Sequence, residues 1–319
     1  MNLASFISLI DPRTKISSIL PFLFGSLYAL YAFDTFSWSA AIILFLTIFI
    51  FNIAITLLHH YMNYKRALLQ EYSDSEIHNS ILYSNLNPKP SKLILFLMLF
   101  LSILLGLYLA YITNGFVLIL VILCFVIGMI YTYGPLPIAH TPLGELMVGI
   151  TLGLNITFMS IYIHVFNSNL LNFQFRLNQF FISINLYELI GIFIVCMPFV
   201  ITIANIRLAH NLCEIEEDFT NKRYTLPIHI GQISALMLFE ISYYMVYFFI
   251  VIAVLVHYLP WLCLISVITF IPVKHHIDYF KLKQVKSETL TYVTQNFLLI
   301  SLSLILTLGL DLFIEYYIF

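Results

Sequence analysis

Between His210 and Pro227 the chain reads HNLCEIEEDFTNKRYTLP, the most charged and polar segment of a sequence whose charged fraction is only 9%. It follows directly on the apolar run 189–203. If one helix continues through it, Asn211, Glu214 and Asp218 fall at i, i+3 and i+7 and share one face of about two turns, with His210 beside them. Two carboxylates, an amide and an imidazole grouped in this way suit Mg²⁺ carrying a phosphate, because that ion takes hard oxygen ligands. The plainer reading is a solvated end of a membrane helix.

Other stretches carry polar groups where apolar runs end. In HHYMNYKRA (59–67), His59 and Asn63 lie four apart on one helix face, Tyr61 and Tyr64 border it, and Lys65 and Arg66 follow. Two histidines with no carboxylate in register are a weak metal signal. The stretch YTYGPLPIAHTPLGEL holds Tyr131, Tyr133, His140 and Glu145 among glycines and prolines that interrupt any helix. Such backbone is tolerated at membrane depth only where it lines a cavity or is buried in protein. Glu145 at a helix start also has a purely local explanation, as complement to the helix dipole. Lys15, just before the first apolar run, reads either as a snorkelling anchor or as part of an anion site.

The elements that must position these groups are membrane helices. With 61% hydrophobic residues and 29 Phe in 319 residues, no polar surface is left to face water all round. Apolar runs at roughly 16–33, 39–60, 92–112, 115–133, 143–166, 187–209, 233–256, 258–273 and 295–317 predict nine spans, the eighth of them short, in an all-α polytopic fold occupying 1–319 as one domain. Of the 14 Lys and Arg residues, all but Arg176 fall in segments on one side. The positive-inside rule therefore puts the N-terminus, the 61–91 loop, the 210–232 segment and the 274–294 loop in the cytoplasm and the C-terminus outside. The N-terminus has no cleavage pattern, so the first helix is expected to be retained. Net charge of −2 gives no basis for a nucleic-acid partner. The four cysteines form no CxxC and no disulfide framework.

Three segments remain. Residues 68–91 make a polar loop long enough to act as a lid. LLNFQFRLNQFFISI, within 167–186, is amphipathic and suited to lie on the outer membrane surface. KHHIDYFKLKQVKSETL is basic, and attraction to anionic lipid accounts for it without any chemistry.

Taken together, HHYMNYKRA (59–67), YTYGPLPIAHTPLGE (131–145) and ANIRLAHNLCEIEEDFTNKRYTLPIHIG (204–231) resemble the UbiA superfamily of intramembrane prenyltransferases, and within it the branch that prenylates 1,4-dihydroxy-2-naphthoate on the way to menaquinone. The resemblance implies nine helices around a central cavity in the plasma membrane of a bacterium. It implies a polyprenyl diphosphate donor, an aromatic acceptor of the naphthoate type, and Mg²⁺ as cofactor. It places Asn63, Glu214 and Asp218 as metal-holding and catalytic residues. Lys15, His59, Lys65, Arg66, Tyr131, Tyr133, His140, Asn211 and Arg223 become the substrate-binding set. Tyrosine ring faces would shield the allylic cation formed as diphosphate departs.

The chain also departs from the family pattern. Asn63 stands where an Asp is expected, and Ala67, Leu68 and Leu69 occupy the stretch where a further acid belongs. His210 and Asn211 replace paired asparagines, Glu214 replaces the first Asp of the second motif, and His140 stands where relatives tend to carry Arg. The expected outcomes are one metal on Glu214 and Asp218, or a softer ion such as Zn²⁺ recruited by the histidines, or a paralogue that keeps the fold, binds quinone or prenyl lipid or supports a membrane partner, and does no chemistry. A transporter fits less well, because the polar residues gather at one membrane face and leave the midplane nearly uncharged.

Overall fold

The computed structural model describes residues 12–68, 88–134, 137–168, 170–176 and 179–318. The side chains of 12–14, 60, 63–68, 88–91, 172–182 and 317–318 are outside that description. The helices are α1 (Pro12–Phe33), α2 (Trp38–Leu68), α3 (Pro88–Ile112), α4 (Gly115–Thr132), α5 (Gly144–Val165), α6 (Leu186–Cys213), α7 (Ile215–Thr220), α8 (Leu226–Ile230), α9 (Gln232–Leu255), α10 (Phe270–Leu282) and α11 (Leu290–Ile318).

Among the described residues, eight helices are long and apolar enough to cross a membrane: α1 to α6, α9 and α11. The ninth expected span, 258–273, differs. Pro260 starts a 3₁₀ helix, Trp261–Thr269, which runs directly into α10. An apolar run specifies burial in lipid or protein but not helical pitch, and here the chain uses the tighter winding for nine residues. The amphipathic segment within 167–186 is a pair of strands. Leu171–Arg176 and Gln179–Ile184 pair as an antiparallel hairpin, with Phe173 opposite Ile182 and Phe175 opposite Phe180. The reason is period: NFQFR alternates polar and aromatic residues at every second position, which is the repeat of a strand. The proposed lid, 69–87 in its loop portion, lies outside the described residues, and its flanks belong to α2 and α3.

Helices α5 and α6 form the spine of the bundle. Gly149 and Gly153 lie four apart on the inner face of α5, and a Cβ on Gly153 would stand 2.5 Å from Val200 Cα and 2.6 Å from Val200 N on α6. Only hydrogen fits there, which is how membrane helices bring their backbones together. The same stretch, Gly149–Asn155, is wound as a π-helix, a form that concentrates at functional sites. On the other side of α5, Gly25 of α1 comes within 2.6 Å of Thr157 O by the same measure. Phe24 of α1 then packs on Phe199 of α6 at 4.7 Å between ring centroids.

Two asparagines tie helices of this bundle together. Asn205 Nδ2 donates to Phe239 O at 3.4 Å and its Oδ1 accepts from Ser242 Oγ at 2.8 Å, fixing α6 to α9. Asn114 caps α4 by accepting from the amides of Phe116 and Val117, and donates to Tyr162 OH at 2.8 Å on α5. In hydrocarbon an unpaired polar group costs several kcal/mol, so such bonds fix register as well as adding stability.

Candidate active site

A cavity of about 360 Å³ opens between α1, α2, α4, α5 and α6. Its wall is apolar for most of its depth, with Ile48, Phe51, Ile127, Leu152, Ile156 and Ile203. Toward one end it becomes polar, where Lys15, Tyr131, Arg207 and His210 lie at or near the ends of their helices. The size is that of a small-molecule site, and a greasy tunnel ending in cations suits a lipid with an anionic head.

Lys15 is no snorkelling anchor. It is 3% exposed, and its ammonium donates to Asn52 O of α2 at 3.0 Å and to Thr56 Oγ1. Asn52 is held in turn by Ser18 Oγ at 2.7 Å. A lysine is taken out of water and pinned between two helices beside a cavity where an anion can repay its desolvation.

Arg207, read from sequence only as a cytoplasmic charge, is the second cation lining the cavity, on α6. Its guanidinium donates to Ala139 O at 3.2 Å, in the 3₁₀ turn Ile138–His140, while Nε is buried and has no hydrogen-bond partner. It lies at i−4 from Asn211 and i−7 from Glu214, the spacing that could have found it. That turn is the glycine- and proline-rich segment expected to line a cavity or be buried. Ala139 is 3% exposed, and Tyr224 N donates to His140 O at 3.1 Å, closing the segment onto the chain that follows α7.

The expected continuous helix through Asn211, Glu214 and Asp218 is not formed. Helix α6 stops at Cys213, Glu214 has φ −117° and ψ 18°, and α7 starts afresh. The break lets Ile215 pack on the main core and turns the acidic run into a separate short rod. The three groups therefore meet different partners. Asn211 is fully buried and donates to Glu145 Oε1 at 2.7 Å. Glu145, itself 5% exposed, is thus a buried partner of Asn211 rather than a mere complement to a helix dipole, which settles the two explanations its sequence position left open. Glu145 Oε2 and Asn211 Oδ1 are buried with no hydrogen-bond partner.

Glu214 is approached from two sides: His210 Nδ1 stands 2.9 Å from Oε2 without hydrogen-bond geometry, and Lys286 Nζ bonds Oε1 from the α10–α11 loop. Burial pushes its pKa up, but the close His210 ring and the Lys286 ammonium outweigh burial and hold it at about 2. Asp218 is 2% exposed, with Arg223 at 3.6 Å and Thr225 Oγ1 at 3.4 Å, both long contacts. Burial raises it to about 6, the neighbouring Glu214 charge adds to that, and Arg223 opposes it.

Asn63, Lys65 and Arg66 are on the last turns of α2, with side chains outside the described residues. The remaining expected site residues are not all gathered. Tyr131 lines the cavity, whereas Tyr133 is 56% exposed and His59 is exposed. His140 contributes its carbonyl to the closing turn.

Among the described residues no group of three or more His, Cys, Asp or Glu converges to hold a metal, so the histidines build no Zn²⁺ site there. The hard-oxygen pair there is Asp218, whose carboxylate makes only long contacts, and Glu214, whose charge acts on it. Mg²⁺ fits that pair, since it is usually held by one or two carboxylates plus substrate phosphates rather than by an all-protein cage.

Comparisons with known proteins agree with this architecture. The chain is 29% identical over 240 residues to the 1,4-dihydroxy-2-naphthoate octaprenyltransferase of Bacillus subtilis (strain 168), covering 75% of this chain and 70% of that protein. Its fold matches the apo structure of a UbiA homolog from Aeropyrum pernix K1 with a TM-score of 0.65 at 16% identity, over 96% and 98% of the two chains. It also matches a UbiA homolog from Archaeoglobus fulgidus bound to GPP and Mg²⁺, with a TM-score of 0.62 at 12% identity, over 96% and 99%. The model of the UbiA prenyltransferase family matches residues 18–302, and with an all-helical membrane bundle closed around a cation-ended cavity, the chain belongs to that family of integral membrane prenyltransferases.

Proposed function

We propose that this protein transfers a polyprenyl chain from its diphosphate to an aromatic acceptor of the 1,4-dihydroxy-2-naphthoate type, a step of menaquinone biosynthesis, in a bacterial plasma membrane with the N-terminus in the cytoplasm and the C-terminus outside. The observation that carries the reading is the cavity itself: largely apolar, lined by the cations Lys15 and Arg207, with the buried Asp218 close enough to Arg207 to feel its charge.

The chemistry follows from charge. As the allylic C–O bond breaks, negative charge grows on the departing diphosphate and positive charge on the prenyl carbon. Lys15 and Arg207 meet the first, joined by Lys65, Arg66 and Arg223 at the helix ends. Tyr131, on the wall, offers its ring face to the second. Asp218, Glu214 and Asn63 would hold Mg²⁺, which would supply further neutralisation of the diphosphate. Apolar walls keep water from the cation until the electron-rich ring attacks.

Membranes carrying the protein, given Mg²⁺, a polyprenyl diphosphate and 1,4-dihydroxy-2-naphthoate, should form prenylated product. No product above background, with a relative active in parallel, would refute this reading in favour of a lipid-binding paralogue. Within the same assay, Arg207→Gln should raise KM for the diphosphate about tenfold, the value of one partly buried charge contact; an unchanged KM removes Arg207 from the site.

A pH dependence also follows. A cation needs Asp218 ionised, and its carboxyl titrates at about 6. Below that value protons compete, so the Mg²⁺ concentration for half-maximal transfer should rise about tenfold between pH 7 and pH 5. A flat Mg²⁺ requirement across pH 7 to 5 would exclude Asp218 as a metal-holding group.

A further inference from the structure

The basic loop between α10 and α11 has a role beyond lipid attraction. It is a built turn: Thr289 Oγ1 accepts from Val285 N at 3.0 Å, and Gln284 Nε2 donates to Phe280 O at 2.6 Å while its Oε1 accepts from Gln232 at 3.0 Å. Lys283 is occupied within the loop by Glu288 at 2.7 Å. Lys286 alone among the loop's lysines reaches across to the site, where Glu214 is 14% exposed, and Glu214 in turn meets His210 on the cavity wall. The ammonium therefore stands one carboxylate away from the polar end of the cavity.

Charge arithmetic gives that position a use. A diphosphate monoester carries up to about three negative charges, and one divalent ion leaves about one uncompensated while each carboxylate holding the ion adds another. A family member short of acids for a second metal needs cations instead. We propose that Lys286 is a diphosphate-binding residue of this same site, delivered by the last inter-helix loop and held at the cavity mouth by Glu214. Its flexible four-carbon stem lets the ammonium pass from the Glu214 carboxylate to a phosphate oxygen, and that exchange frees Oε1 of Glu214. The inference rests on the prenyl-diphosphate reading above.

The test uses purified full-length protein and inorganic pyrophosphate with Mg²⁺, followed by calorimetry, with KM for a polyprenyl diphosphate measured alongside. Lys286→Gln should weaken pyrophosphate binding about tenfold and raise KM with kcat little changed. Lys286→Arg should retain most of the binding, and Lys283→Gln should match wild type. Lys286→Gln should melt with wild type, since an ion pair with one exposed partner contributes little stability. Wild-type affinity in Lys286→Gln, tighter binding in it, or an equal loss in Lys283→Gln would each overturn the assignment while the prenyltransferase reading stands. Failure of the wild-type protein to bind pyrophosphate or turn over donor would overturn both.

Discussion

Replacing Asp218 by Asn should lower prenyl transfer at least about 100-fold while leaving the fold intact, the loss seen when one preorganised electrostatic group is removed from a catalytic site. The two halves of that statement have one cause. Asp218 is 2% exposed, and burial raises its pKa from an ordinary 3.8 to about 6. A carboxyl raised in this way contributes stability below its unfolded pKa and loses it as pH rises through the folded one, so at pH 7 the ionised side chain is a cost to the fold. The amide has the same shape and no charge to desolvate. Asp218→Asn should therefore melt at or above the wild-type temperature at pH 7 and yet be nearly inactive. Activity within threefold of wild type would remove Asp218 from the site, and a large fall in melting temperature would mean that its pairing with Arg223 is structural.

Gly153 is the position where the largest structural loss is expected. A Cβ there meets Val200 Cα, Val200 N and Phe199 C at 2.5, 2.6 and 2.8 Å, all backbone atoms that no rotamer change can move aside. Helix α5 would have to lift off α6, separating Glu145 from Asn211 and breaking the wall that carries Thr151 and Leu152. Overpacking of this kind costs about 3 kcal/mol or more. Gly153→Ala should lower the melting temperature by at least about 5 °C, and Gly153→Leu should yield no monodisperse protein. Gly115→Ala, with open space around the added carbon, is the control. A Gly153→Ala protein that melts with wild type would show that the α5–α6 contact is not close-packed.

The spans were legible because lipid imposes a length and a composition on every crossing helix. Where the sequence misled, a local signal had been asked to report something else. Apolar runs gave a second span ending at 60, yet α2 continues to Leu68, since leaving the hydrocarbon ends hydropathy but not backbone hydrogen bonding. No Gly or Pro marks the break at Glu214, which is fixed by Ile215 finding the core. The polar end of the site was visible in Asp218 and Asn211. The partners of Glu145 and Lys286 were not, because they lie 66 and 72 residues away. Arg207 was hidden by its own ordinariness, one more positive charge on the expected side. Its use became evident only when Ala139 O and the cavity wall were found beside it.

The interruption at Glu214 separates the protein into a part that the bilayer clamps and a part that it does not. Asn211 rides on the clamped side, whereas Asp218 rides on a six-residue rod joined through a single non-helical residue. The joint is itself hydrogen-bonded, Glu214 N donating to Asn211 O at 3.3 Å and Asp218 N to Glu214 O at 2.7 Å, so the acid is held in place across the break. A substitution that changes the torsions of residue 214 should therefore displace Asp218 while the long helices keep their places.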